Sequence, residues 1–150
     1  MIITNRIEQY NDEYVFFSES IKNNIIKDGY FIRIIYSNEL FSLNGIYINI
    51  DFVFTYIEKY YNKIRCLFDI NININRHFMG LIKNVEYNIL KKVDIKNKTP
   101  QYKLYDQIKS GEIKIYDDNV NANYNKIVLK ITGVWETSNQ YGITYKFYRV

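Results

Sequence analysis

The chain has 150 residues and a formal net charge of +4, enough length for one domain with a sizeable core. Hydrophobic residues make up 47% and charged residues 24%, an ordinary globular balance. The single cysteine, Cys66, excludes an internal disulfide, and no apolar run approaches the ~20 residues a membrane-spanning helix needs. The chain contains 26 Ile, 19 Asn, 16 Tyr and 15 Lys, about half of its positions. That bias follows AT-rich codons, so Asn is discounted as a functional signal. The N-terminus lacks the apolar core of a signal peptide, and an intracellular protein is expected. Residues 1–75 carry seven Lys/Arg against nine Asp/Glu, and residues 76–150 thirteen against seven. A basic C-terminal half suits a polyanionic partner.

No repeat or linker divides residues 1–150, which read as a single β-rich domain dominated by a period of two. Tyr14 to Glu19 is the first expected strand and Tyr30 to Tyr36 the second. Asn38-Glu39 marks a turn, and Asn44-Gly45 is a hairpin-type dipeptide. From Ile46 to Phe54 the alternation sends Ile46, Ile48, Ile50, Phe52 and Phe54 inward and Tyr47, Asn49 and Asp51 outward. Tyr61 to Ile70 repeats it, with Ile64, Cys66, Phe68 and Ile70 inward. The period then changes: Phe78, Leu81, Ile82, Val85, Ile89, Leu90 and Val93 form a helical stripe, with Asn75 as the expected N-cap and Pro100 beyond its end. A short second helix, Gln101 to Lys109, is expected to stop at Gly111. Three strands follow: Glu112 to Tyr116, Lys126 to Trp135, and Gly142 to Arg149. Ile127, Leu129, Ile131 and Trp135 are expected on the inward face, as are Ile143, Tyr145 and Phe147. Strands, a central helix and further strands suit a mainly β fold with one or two helices, an OB-like antiparallel barrel. An α+β sandwich is the alternative.

Chemistry has little to work with. His77 and Cys66 have no companions at metal-ligand spacing, and neither a phosphate loop nor a nucleophile elbow occurs. Asp117-Asp118 reads as a turn between strands rather than a cation site. No catalytic residue, metal or cofactor is expected. Binding has more to offer. Arg33, Tyr47, Lys63, Arg65, Lys126, Lys130, Lys146 and Tyr148 fall on outward strand phases. Cations interleaved with rings are what an unstructured polynucleotide needs: charge follows its backbone and aromatic faces take its bases. A polar sheet face rich in Lys and Tyr has the same composition, and so does a protein interface.

The strings FIRIIYS (31–37), LNGIYI (43–48), YKLYDQIKSGEIKI (102–115) and ITGVWET…YGITYKF (131–147) resemble a family of short proteins of nucleocytoplasmic large DNA viruses. The resemblance spans roughly residues 14 to 147. That group is similar at fold level to phage-type single-stranded DNA-binding proteins built on one OB-fold. The resemblance implies single-stranded DNA as partner, replication proteins as further partners, and a place in the host cytoplasm (the viral factory) or the virion. A non-catalytic virion structural or adaptor protein is the alternative; homo-oligomerisation is left open. Phage-type members end in an acidic tail with a terminal aromatic. This chain ends in YKFYRV, a departure that argues against tail-mediated recruitment.

Overall fold

In a computed structural model, described over residues 4–23, 29–116 and 126–149, strands and helices alternate much as the two periods predict. The strands are β1 (Val15–Phe17), β2 (Ile21–Asn23), β3 (Gly29–Ser37), β4 (Ser42–Leu43), β5 (Ile46–Asn49), β6 (Phe54–Tyr60) and β7 (Lys63–Phe68), followed by α1 (Asn73–Lys92). Then come β8 (Thr99–Gln101), α2 (Lys103–Lys109), β9 (Glu112–Tyr116), β10 (Ile127–Glu136) and β11 (Gln140–Arg149). One sheet runs β1-β3-β10-β11-β9-β7-β6, with β2 and β4 also on β3, β5 on β10 and β8 on β11. Both β8 and β9 lie parallel to β11. Among the described residues the path does not close. The fold is thus mainly β with two helices and a mixed, open sheet, and the closed antiparallel barrel is not what these pairings draw. Asp117-Asp118 lies outside the described residues.

The core follows the register. Leu129 faces Phe147, Phe147 faces Ile115, and Ile115 faces Ile64, a row of buried side chains across four strands. Burying each such side chain contributes ~1.5–3 kcal/mol. The helices cover this inner face. Phe78 of α1 meets Phe52 edge-on at 4.9 Å, and the Tyr145 hydroxyl of β11 donates to Gln107 Oε1 of α2 at 2.6 Å. No helix among the described residues is long and apolar enough to cross a membrane.

Several expectations need correction. Asn75 is not an N-cap; α1 begins two residues earlier. Its fully buried side chain accepts from the Val53 amide at 2.8 Å and donates to the Asp69 carbonyl at 2.9 Å, pinning the β5–β6 connection to the helix. Asn44-Gly45 makes no hairpin, because β4 pairs with β3 while β5 pairs with β10. The expected strand Ile46 to Phe54 breaks after Asn49, and its end begins the separate strand β6. Trp135 is not on the phase of Leu129 and Ile131. The β10–β11 register shifts between Ile131 and Gly133, and one extra residue reverses every side chain beyond it. Val134 therefore takes the core position, fully buried, while Trp135 faces outward opposite Phe31 and Gly142.

Among the described residues Glu86 is the one buried carboxylate of the core. It accepts from the Leu104 and Tyr105 amides, both at 3.0 Å, and so caps the first turn of α2 from the side of α1.

Candidate nucleic-acid interface

Residues directly opposite each other in paired strands project to the same face. With Leu129, Phe147, Ile115 and Ile64 inward, the alternate positions of β10, β11, β9 and β7 form the outer face. Lys130 of β10 stands between Tyr47 of β5 and Lys146 of β11. The Lys130 ammonium lies 5.4 Å from the centre of the Tyr47 ring, and that of Lys146 lies 5.8 Å from the Tyr148 ring. Beyond them come exposed Lys114 on β9 and its partner Arg65 on β7, then Lys63 one pleat further along. Arg33 is exposed on β3, opposite Gly133, and reaches the same face at its other end. Lys126 is exposed and immediately precedes β10 rather than belonging to it. The structure thus gathers seven of the eight expected residues on one sheet face, with Lys126 just beyond its edge.

Two of them differ in quality from the rest. Arg65 is engaged: its Nε bonds Glu112 at 2.9 Å and its Nη1 lies 3.8 Å from Glu58. The Lys114 ammonium also lies 3.9 Å from Glu112, so the cations of the row without a carboxylate partner among the described residues include Lys130 and Lys146. Tyr148 is partly buried and its hydroxyl is sealed off without a partner among the described residues. Burial, then the nearby Tyr47, pushes its pKa up.

Four residues of this face escaped the sequence reading. Lys114 was legible, since Ile113 and Ile115 are inward. Tyr60 belongs to β6, whose exposure on both sides leaves no alternation to read. Trp135 was hidden by the bulge in β10, whereas Phe31 shares the phase of Arg33 in a largely apolar strand, β3, where a ring does not stand out as outward. Both rings closely approach glycines: a Cβ on Gly142 would sit 2.7 Å from Trp135 Cζ2, and one on Gly133 would collide with the Phe31 ring. The Lys103 ammonium lies 4.8 Å from the indole centre.

The face is not flat. Strands β9 and β11 are joined by one residue pair, Phe147 with Ile115. Beside that junction lies a cleft of about 430 Å³, lined in part by Gln107, Tyr145, Lys114 and Lys146. Burial raises the Tyr145 hydroxyl to a pKa of about 12, so it stays a donor. A second hollow of about 310 Å³, lined by Glu58, Tyr60, Lys63, Ile64, Arg65 and Lys114, continues the groove toward β6.

Among the described residues no three His, Cys, Asp or Glu side chains gather as metal ligands. His77 is exposed, and burial lifts the Cys66 thiol to about 11, far from a reactive thiolate. No family model, no curated protein and no solved structure matches this chain.

Proposed function

We propose that the protein binds single-stranded DNA, with little sequence preference and without catalysis, along the outer face of β5, β10, β11, β9 and β7. The observation that carries this reading is the Lys130–Lys146 pair. Like charges directly opposite one another destabilise a sheet. Neither ammonium has a carboxylate partner among the described residues, and each lies over a tyrosine ring. A phosphate backbone supplies the counter-charge, and ring faces take unstacked bases at ~1–3 kcal/mol each. Lys63, Lys114 and Lys126 extend the track. Charge follows the backbone and a ring accepts any base, so tolerance of sequence follows.

The proposal includes an OB-type role for the outer strand face. It also includes a setting in viral DNA replication or repair, in host cytoplasm or virion, with replication proteins as partners. These finer points rest on the resemblance of the quoted strings. The second reading, a virion structural or adaptor protein, is favoured by Phe16, Ile21, Tyr30 and Leu40, which are exposed and stand outside the cationic row.

The test is fluorescence anisotropy with a thirty-nucleotide oligothymidine across a salt series. Affinity should fall by ~0.7 log units per log unit of salt for each phosphate neutralised. Lys130→Glu with Lys146→Glu should weaken binding strongly and lower the slope by ~1.4. Absence of wild-type binding at low salt, or full binding by the double variant, would remove this face as the site.

A further inference from the structure

The β6–β7 ribbon ends in a two-residue turn, Tyr61-Asn62, closed by the pair Tyr60–Lys63. Tyr61 has a φ of 55°, left-handed backbone that glycine ordinarily fills at the first position of such a hairpin. Among the described residues the other non-glycine positions with positive φ are Asp94 and Asn97, types whose short polar side chains tolerate it. Tyr61 is therefore strained, and its ring gains no burial in return: it is 87% exposed. Its neighbour Tyr60 is 62% exposed, and the two rings meet edge to face with centroids 4.9 Å apart. Strain held without packing points to a role outside the fold.

The surroundings say which role. Tyr60 shares a face with Lys63 and lines the hollow that also holds Arg65 and Lys114. The tip is thus the outer end of the cationic face, five strand spacings from Tyr47, or ~24 Å along the sheet. Lysines beside it are unlike the core of a protein interface, from which Lys is depleted. We infer that the Tyr60–Tyr61 tip is a base-stacking element that receives an unpaired base of the bound strand as it leaves the groove. This rests on the single-stranded DNA reading above and adds to it a contact that sequence phase alone does not give.

The experiment uses the full chain with Tyr61→Gly and Tyr61→Phe, read by thermal melting and by anisotropy with the same oligothymidine. Tyr61→Gly should melt ~2–4 °C higher, because the strain is relieved. It should bind about five- to 150-fold more weakly, the equivalent of one lost stack. Tyr61→Phe, which keeps the ring, should match wild type in both. Wild-type affinity in Tyr61→Gly would overturn the tip assignment and leave the groove intact, whereas a wild type that binds no oligonucleotide would sink both. A fall in melting temperature for Tyr61→Gly would show the ring to be structural. Tyr61-dependent self-association in sedimentation, with DNA binding unchanged, would assign the tip to a protein contact instead.

Discussion

Replacing Glu86 by glutamine tests how the carboxylate between α1 and α2 is held. Both oxygens accept backbone amides from the first turn of α2, Oε2 from Leu104 and Oε1 from Tyr105, each at 3.0 Å. Burial nevertheless dominates and raises its pKa to about 7 from an ordinary 4.5. Between those two values the folded chain holds a proton that the unfolded chain has released. The group's contribution to stability is therefore full below pH 4.5 and is lost as pH rises through about 7. At ~1.4 kcal/mol per pKa unit the span amounts to on the order of 3 kcal/mol, or ~6–12 °C in melting temperature for a chain of this size. Glutamine keeps the shape, does not titrate and offers one acceptor oxygen, so one buried N–H goes unmet at ~1–3 kcal/mol. Thermal unfolding followed by circular dichroism between about pH 5 and about pH 8 should show wild type gaining on the variant as pH falls. A wild-type-minus-variant difference that stays flat over that range would refute a burial-raised carboxyl at this position.

Two further outcomes bear on the outer face. Gly142→Ala would set a Cβ 2.7 Å from Trp135 Cζ2 and 3.0 Å from the Gln101 carbonyl oxygen, so the indole must lift from the sheet at ~1–3 kcal/mol. Tryptophan emission and melting temperature should both move, and if neither does, the ring does not lie where it is placed. Arg65→Ala should leave the melting temperature close to wild type, since its ion pairs are solvent-exposed. It should also lower oligonucleotide affinity with the salt slope unchanged, because Arg65 offsets Glu58 and Glu112 instead of meeting phosphate. A slope reduced by ~0.7 would show that it does meet phosphate.

Much of the architecture was legible where one face of an element is buried and the other is not. The stripe from Phe78 to Leu90 gave α1, and the alternation at Lys63–Phe68, Glu112–Tyr116 and Gln140–Arg149 gave three strands with their inward residues. Where both faces are wet the signal vanishes, which is why β6 was missed. Thr99–Gln101 was missed for another reason. Proline looks like a breaker, yet β8 pairs on one side with β11 alone, and an edge strand can carry a residue without an N–H. Asn75 and Glu86 look like surface residues by type. Only the tertiary partners, the Val53 backbone and the α2 amides, make their burial tolerable.

The binding face was legible in most of its cations and in Tyr47 and Tyr148, but not in Trp135, and the cause lies in a single residue of β10. Lys130 precedes the irregularity in β10, and Lys146 lies on β11, which alternates without one, so simple phase placed both correctly. Beyond Thr132 the same counting puts Trp135 in the core, where an aromatic of its size would be expected. The register shift instead gives the core position to Val134 and turns Trp135 outward. Gly133 and Gly142 then make sense together: each is the bare patch of backbone that one outward ring, Phe31 or Trp135, closely approaches. A sequence with two glycines and one tryptophan in this spacing fits a buried indole and a surface indole equally well. The bulge decides between them, and with it whether the β3 end of the cationic face ends in aromatic surface.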